Sequence, residues 1–278
     1  MSLLESLNDA QRDAVLHTDG PLLLLAGAGS GKTRALMYRI AHLIQDQGVD
    51  ARSILAVTFT NKAAEEMKGR LEQIVGPRSR DIWARTFHAT CAQLLRWDIE
   101  ALGGYTRGFT IFDSSDQVAM MKRVLLELNI GEQKLDARSV LSAVSRAKNE
   151  LMGPQQHTNA ATNYYEEQVG KLYDAYQKRL LDHNALDFDD LILLTVRLFE
   201  EHPAILEKYQ DRWRYVHVDE YQDTNHSQYT LTRMLAAKRS NICVVGDDDQ
   251  SIYSWRGADI RNILDFERDY PKTTVIHL

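Results

Sequence analysis

Short runs of apolar residues alternate along the chain with longer stretches in which apolar residues recur every three or four positions. The short runs have the length of buried strands, and the longer stretches have the periodicity of amphipathic helices. Strands that alternate with helices predict a parallel sheet flanked by helices, which is an α/β fold. The predicted strands are 21–25, 54–59, 82–88, 215–218, 242–245 and 273–278.

The middle of the chain, from about residue 91 to about residue 202, has little strand signal and much helical periodicity. One apolar stripe lies within 116–130, with Ser114 or Ser115 as its cap, and consists of Val118, Met121, Val124, Leu125 and Leu128. A second stripe consists of Val169, Leu172, Tyr173, Tyr176 and Leu180. The polar stretch 153–163 between them is typical of a surface loop. We therefore expect an all-helical insertion over 89–204, with the α/β domain formed by 1–88 and 205–278.

Polar residues mark other expected helix ends. Asn8 or Asp9 would cap a first short helix, and Thr60-Asn61 would cap a helix over 62–75 that Gly76-Pro77 ends. Another helix is expected over 89–99.

Three carboxylates, Asp187, Asp189 and Asp190, lie close together at the start of a helical pattern. Adjacent helical residues point about 100° apart, so Asp189 and Asp190 are poorly placed to share a substrate atom. An N-cap at Asp187 with Asp190 three positions later is the better interpretation.

A glycine-rich turn, AGAGSGKT at 26–33, follows the first predicted strand and opens a helix expected to begin at Gly31. In that context the turn predicts a phosphate site, because its backbone N–H groups and the positive end of the helix face an anion. Lys32 can reach the outer phosphates, and the Thr33 hydroxyl can ligate magnesium. Ala26 replaces the usual first glycine and is small enough to fit. The alternative is a chance glycine-rich turn. The candidate nucleotide-binding residues of this loop are Ala28, Gly29, Ser30, Gly31, Lys32 and Thr33.

Two acids, Asp219 and Glu220, follow the predicted strand 215–218. Ligand-binding groups lie beyond the carboxyl ends of parallel strands, so these acids are expected beside Lys32. Asp219 would hold magnesium, and Glu220 would orient and deprotonate the attacking water. The alternative is a solvated acidic turn.

The segment 245–258 also follows a strand. Gln250 can sense the terminal phosphate by hydrogen bonding without adding charge. Tyr253 and Trp255 lie close to Arg256, and flat rings beside a cation are suited to stacking single-stranded bases. Packing is an equally good explanation of these aromatic residues.

Composition excludes few classes of protein. The net charge of −6 argues weakly against a nucleic-acid ligand, but six basic residues lie within 62–85 and acids cluster elsewhere. Two distant cysteines predict neither a disulfide framework nor a zinc site, and favour a reducing cytoplasm. No apolar stretch approaches the about 20 residues needed to span a membrane.

Seven segments occur in the order found in one helicase family, and the likeness extends essentially from end to end. They are 7–11 (LNDAQ), 26–33 (AGAGSGKT), 58–64 (TFTNKAA), 86–88 (TFH), 186–190 (LDFDD), 218–223 (VDEYQD) and 246–258 (GDDDQSIYSWRGA). The chain therefore resembles the UvrD/PcrA/Rep group of superfamily one DNA helicases. The resemblance implies a RecA-like P-loop sheet (subdomain 1A) with an inserted helical subdomain (1B), and an ATP- and Mg²⁺-dependent 3′-to-5′ single-stranded DNA translocase of repair or replication.

The resemblance also implies residue roles. Gln11 resembles the residue that reads adenine, Arg34 lies near the nucleotide, and Gln250 couples the terminal phosphate to DNA. Arg256 resembles a residue that links the two sites. The positions that match the single-strand path are Phe59, Thr60, Asn61, Thr86, His88, Tyr253 and Trp255.

These helicases have two RecA-like lobes, and the second supplies arginines to the transferring phosphate. The chain stops about where that lobe would begin, so the resemblance implies the N-terminal half of a helicase. For the half alone we expect nucleotide and DNA binding with little or no ATP turnover, and an apolar surface that favours association. A P-loop kinase or transport ATPase is a poorer alternative, because it predicts neither the TFTN segment nor the aromatic and arginine residues after the last acids.

Overall fold

This computed structural model describes residues 4–27, 29–130, 135–247 and 261–278. The chain divides into two compact units. We call Met1–Thr90 with Pro203–Leu278 the sheet unit and Cys91–His202 the helical unit. These limits lie two residues from those expected from the sequence.

The strands and helices of the described residues follow each other along the chain as predicted for an α/β fold with a helical insertion. The strands are β1 (Leu22–Leu25), β2 (Ile54–Thr58), β3 (Trp83–Thr86), β4 (Thr110–Ile111), β5 (Ala185–Leu186), β6 (Tyr215–Val218), β7 (Ile242–Gly246) and β8 (Thr274–His277). The helices are α1 (Asp9–Leu16), α2 (Lys32–Gln45), α3 (Asn61–Val75), α4 (Phe87–Asp98), α5 (Ser114–Glu127), α6 (Ala137–Asn149), α7 (Pro154–Ala160), α8 (Tyr164–Asp182), α9 (Phe188–Glu201), α10 (Pro203–Arg212), α11 (His226–Ala236) and α12 (Arg261–Asp269).

Within the described part of the chain, the sheet unit contains a six-stranded sheet in the order β3-β2-β6-β7-β1-β8, and all of its pairs are parallel. Strand β1 pairs with β7 on one side and β8 on the other, with Leu24 opposite both Val245 and Ile276. Helices cover such a strand on both faces, which is why 22–25 is continuously apolar. The parallel arrangement brings the carboxyl ends of all six strands to one edge.

The predicted strands are confirmed to within one residue at each end, except at the end of β3. An extended run was expected over 82–88, but β3 ends at Thr86 and α4 begins at Phe87. The Thr86 hydroxyl accepts a hydrogen bond from the backbone N–H of Ala89 at 3.2 Å. Because this cap satisfies a free donor of the first turn, the helix starts two residues earlier than predicted, and His88 lies in that turn.

The expected caps of the sheet unit are confirmed. Asn8 caps α1 in a capping box with Gln11. Thr60 caps α3 through the N–H of Ala63, at 3.1 Å. Gly76, with φ of +72°, ends that helix where the sequence predicted a stop.

The core of the helical unit matches the predicted stripe on α8. Its five predicted residues are all buried: Val169, Leu172, Tyr173, Tyr176 and Leu180. On α5 the prediction is partly wrong, because Asp113 rather than a serine is the cap and Leu128 is 43% exposed. The Asp113 carboxylate accepts from two N–H groups and so makes a better cap than a hydroxyl.

Two further features of the helical unit depart from the prediction. Residues 153–163 were expected to form a loop, but Pro154–Ala160 is helix α7. Proline at the first turn is pre-organised for a helix, and the polar residues conceal its periodicity. In addition, β4 and β5 form a short parallel pair within a unit that was expected to be all helical.

The Asp187 capping box is confirmed, since the Asp187 carboxylate accepts from the N–H of Asp190 and the Asp190 carboxylate accepts from the N–H of Asp187. The same two carboxylates hold a fully buried ammonium group that the sequence did not reveal. The Lys148 Nζ lies 2.7 Å from Asp187 Oδ2 and 2.7 Å from Asp190 Oδ1. This lysine, 39 residues from Asp187 along the chain, ties α6 to the start of α9.

Both cysteines, Cys91 and Cys243, are buried and free. No helix among the described residues combines the length and the apolar character needed to cross a bilayer.

Candidate functional site

The candidate site lies at the carboxyl edge of the sheet, where β6, β7 and β1 are neighbours. Each of these strands delivers a predicted segment to this edge. The glycine-rich loop follows β1, Asp219 and Glu220 follow β6, and Asp247 follows β7. The adjacency of the three strands, which the sequence order does not reveal, brings the segments together.

The glycine-rich loop coils tightly before α2. Gly29 and Gly31 have φ of +79° and +88°, a region that side chains rarely adopt. Gly31 is the N-cap of α2, and the helix begins at Lys32, one residue later than expected. Ala26 is buried, and its N–H donates to the Gly246 carbonyl at 3.1 Å, which confirms that a small residue fits there. Predicted residue Ala28 lies outside the described residues.

Lys32 points back over the sheet edge to the acid after β7. Its Nζ lies 2.9 Å from Asp247 Oδ2, and the Asp247 side chain is fully buried. The acids predicted beside Lys32 were Asp219 and Glu220, and Asp247 was not among them. Its position just after a predicted strand was the feature of the sequence that could have identified Asp247.

Asp219 and Thr33, the two predicted magnesium ligands, lie together. Asp219 is 6% exposed, and burial together with the charge of Glu220 raises its pKa to about 6. A hydrogen bond with the Thr33 side chain acts in the opposite direction on this pKa. A buried carboxylate beside a hydroxyl is a hard oxygen donor set that fits Mg²⁺. The described residues contain no group of three or more His, Cys, Asp or Glu arranged to hold a metal.

Glu220 adopts a strained backbone conformation, with φ of +52° and ψ of 46°. Its N–H donates to Asp219 Oδ1 at 3.1 Å. Its carboxylate accepts a hydrogen bond from Gln222 Nε2 at 2.7 Å, and Gln222 Oε1 accepts from the Asp247 N–H at 3.1 Å. Gln222 therefore joins the ends of β6 and β7, a role that sequence analysis missed.

Asp223 adds a further acid to this edge. Burial and the charge of Glu220 raise the pKa of Asp223 to about 6. Negative charge is thus concentrated opposite Lys32, which favours a cation at this place.

Gln11 and Arg34 lie on the α1 side of the loop. Gln11 Nε2 donates to the Ser30 carbonyl at 3.0 Å, and Gln11 Oε1 accepts from the Asn8 N–H at 3.3 Å. Arg34 donates to the Ser6 carbonyl at 3.0 Å and lies over the Tyr38 ring, 5.4 Å from its centroid. Both predicted residues are therefore next to the glycine-rich loop.

The described residues predicted to line a single-strand path lie at the ends of two neighbouring strands. Thr58 pairs with Thr86, so the residues after β2 and those at the end of β3 share one edge. Phe59 is half-buried, and its ring meets that of Phe87 edge to face at 5.4 Å. Thr60 and Asn61 are exposed, His88 is half-buried and Thr86 is buried.

The net positive charge of 62–85 is smaller than its six basic residues alone suggest. Among the six basic residues within 62–85, three form ion pairs with neighbouring glutamates. These pairs are Lys68–Glu65, Arg70–Glu66 and Arg80–Glu72. The remaining predicted site residues, Gln250, Tyr253, Trp255 and Arg256, lie outside the described residues.

Comparison with known proteins gives one family match. The model of the UvrD/REP helicase N-terminal domain matches residues 7–271. The ATP-dependent DNA helicase PcrA of Bacillus subtilis strain 168 is 54% identical over 276 residues, which cover 99% of this chain and 37% of the relative. PcrA of Staphylococcus aureus strain Mu50 is 51% identical over 277 residues, which cover 100% of this chain and 38% of the relative. The chain therefore spans less than two fifths of the length of these curated relatives.

Proposed function

The chain belongs to the UvrD/REP helicase family through its N-terminal domain, and from that premise we propose that it binds Mg²⁺-ATP and single-stranded DNA as the first lobe of an ATP-dependent 3′-to-5′ translocase. The sheet unit would be subdomain 1A and the helical unit subdomain 1B. The parent enzyme would unwind DNA at single/double-strand junctions in repair or replication, in the cytoplasm, with a second RecA-like lobe and further repair or replication proteins as partners.

The observation that carries the nucleotide proposal is the meeting of Lys32, Thr33 and Asp219 at one sheet edge. Lys32, now paired with Asp247, can exchange that carboxylate for a phosphate oxygen. Thr33 and Asp219 would hold Mg²⁺, which when bound neutralises phosphate charge.

Glu220 is proposed to orient and deprotonate the attacking water. The hydrogen bond from Gln222 holds its carboxylate in one direction, as a general base requires. Gln250 and Arg256 would sense the terminal phosphate and link it to the DNA site, a role that rests on the resemblance.

Gln11 is proposed to read adenine. A side-chain amide can pair with the N6 and N7 atoms of adenine through one acceptor and one donor. In Gln11 the oxygen keeps a second lone pair and the nitrogen keeps a second hydrogen, so both remain available for a base. Arg34 would lie beside the same nucleotide.

Single-stranded DNA is proposed to cross the ends of β2 and β3. Phe59 offers a half-exposed ring for stacking, and Asn61 and His88 offer polar groups nearby. Thr60 and Thr86 cap helices with their hydroxyls and so fix the direction of these chain segments. Tyr253 and Trp255 would complete the path.

For this chain alone, a binding module with little or no ATP turnover is the second candidate. It is favoured because the larger part of each relative has no counterpart in this chain. In other phosphoryl-transfer enzymes, an arginine supplied from outside the nucleotide lobe contributes about 10³- to 10⁵-fold in rate.

Steady-state ATP hydrolysis by the chain, with and without an oligo(dT) strand, separates the two candidates. Magnesium-dependent nucleotide binding without turnover, lost in Lys32→Ala, would support the binding module. Hydrolysis that DNA stimulates and Lys32→Ala abolishes would support a complete active site. Absence of nucleotide binding in the wild-type chain would refute both.

DNA binding is tested by fluorescence anisotropy of a labelled oligo(dT). Phe59→Ala should weaken affinity about tenfold, since one stacked base contributes about 1–3 kcal/mol. Tyr164→Ala removes a 75% exposed ring in the helical unit and serves as the control. Equal loss in both variants, or none in Phe59→Ala, would contradict the proposed path.

A further inference from the structure

Arg39 is a charged side chain buried in the sheet unit, and Asp19, which follows α1, acts on its charge without coming within ion-pair distance. It lies on α2, is 1% exposed, and forms no ion pair within the described ranges. Burial lowers the pKa of this guanidinium group. An unpaired buried charge is costly, so the groups that compensate it indicate its task.

The partners of Arg39 are carbonyl groups at the end of α1. Its Nη1 donates to the Ala14 carbonyl at 3.3 Å and its Nη2 donates to the Thr18 carbonyl at 3.0 Å. The last carbonyls of a helix lack partners within that helix, and they form the negative end of its dipole. Arg39 therefore satisfies the carboxyl end of α1 both by hydrogen bonds and by charge.

The sheet beneath Arg39 offers it no alternative anion. His217 on β6 and Cys243 on β7 are paired in register. Burial and the charge of Arg39 lower the pKa of His217 to about 3. Burial raises the pKa of Cys243 to about 11, so both groups are uncharged at neutral pH. The end of α1 is thus the principal support of the guanidinium group.

Helix α1 is also attached at a second point. Gln11 donates from Nε2 to the Ser30 carbonyl in the glycine-rich loop. An eight-residue helix is too short to be stable by itself, so its position depends on tertiary contacts: the buried side chains of Ala14 and Val15, and these two attachments. One attachment comes from the loop and the other from Arg39.

We propose that Arg39 is a positioning residue for base recognition: it holds α1 against α2, so that the Gln11 amide meets the base of a nucleotide whose phosphates lie on the loop. This inference rests on the nucleotide site proposed above. Lys32 and Thr33 belong to α2 itself, so phosphate binding does not depend on Arg39. Base selectivity depends on Arg39, because it requires α1 to stay in position against α2.

Titration calorimetry with ADP, GDP and inorganic pyrophosphate in the presence of Mg²⁺ tests this inference on the whole chain. Arg39→Met should reduce the preference for ADP over GDP about five- to tenfold, the effect of losing one or two hydrogen bonds to the base. Its affinity for pyrophosphate should stay within about twofold of wild type. Arg39→Lys can reach one carbonyl at a time, so its preference for ADP over GDP should lie between those of the wild type and Arg39→Met. If Arg39→Met does not fold, Arg39→Lys provides the test.

Leu71→Ala is the matched control, since Leu71 is 1% exposed in the same core but lies on α3. It should lower the melting temperature and leave the ADP/GDP preference unchanged. The inference would be overturned if the Arg39 variants kept the ADP/GDP preference, or if Leu71→Ala lost it to the same extent. It would also be overturned if the affinity for pyrophosphate fell in parallel with that preference. A wild-type chain that binds pyrophosphate without base preference would overturn it while sparing the phosphate site, whereas failure to bind any of these ligands would refute the proposed function.

Discussion

His217 provides a quantitative test of the packing beneath the candidate site. The residue is 1% exposed in the central strand β6, and neither ring nitrogen has a partner within hydrogen-bond geometry. Burial, followed by repulsion from Arg39, lowers the pKa of His217 from 6.5 to about 3, with a small opposing contribution from the Leu55 backbone. The folded protein therefore keeps this ring neutral at pH values where the unfolded chain protonates it.

The sign of the effect follows from proton linkage. Between pH 6.5 and 3 the unfolded state binds a proton at His217 that the folded state does not bind, so acid lowers stability. From pH 7 to pH 5 these two pKa values give a loss of about 2 kcal/mol. Asp219 and Asp223, whose pKa values are raised to about 6, act in the opposite direction. Their contribution cancels when the wild type and a His217 variant are compared.

His217→Leu removes the titrating ring and its two unpaired nitrogens. Urea denaturation, followed by tryptophan fluorescence at pH 7 and pH 5, should show that the wild type loses about 2 kcal/mol more than the variant over this range. His226→Leu, at a solvent-exposed position, should follow the wild type. Identical pH dependence in His217→Leu and the wild type would refute the assigned environment of the ring.

Two further substitutions test the loop and the helical unit. Gly31→Ala would place a Cβ 2.6 Å from Gln11 Nε2 and should lower the affinity for ADP, measured by calorimetry, more than about tenfold. Gly20→Ala is the control, since Gly20 has a similar φ but open space around it, and it should not lower this affinity. Equal affinities in the two variants would contradict a collision with Gln11. Lys148→Met leaves two buried carboxylates unpaired and should cost about 3–5 kcal/mol in urea denaturation, against less than about 1 kcal/mol for Lys178→Met, which loses an exposed ion pair with Asp174. Similar losses in both lysine variants would show that the Lys148 cluster is not a buried ion pair of that kind.

Local signals in the sequence were sufficient where neighbours along the chain decide the structure. Asn8, Thr60 and Asp187 were recognised as caps because a capping side chain bonds to an N–H two or three residues away. The same approach failed at Asp113, since two serines follow it and also suit a cap. It failed for α7, where a polar composition conceals the helical period.

The candidate site was predictable in its parts and not in its contacts. Motif order placed Lys32, Thr33, Asp219 and Glu220 at strand ends, and the sheet brings these ends together. The partner of Lys32, Asp247, is 215 residues away, and Gln222 joins β6 to β7. Such pairings depend on which strands are adjacent, and local periodicity carries no information about adjacency.

What the sequence determined by itself was the α/β class, the helical insertion, the tight glycine-rich turn before α2 and the family, because each depends on residues close together or on motifs in a given order. The tertiary structure alone decided which buried charges face each other. Lys148 meets Asp187 and Asp190, and Arg39 meets the end of α1, only after the helices pack. The physical reason is that burial removes water from a charge, and the groups that replace water come from whichever element the fold brings within hydrogen-bond distance.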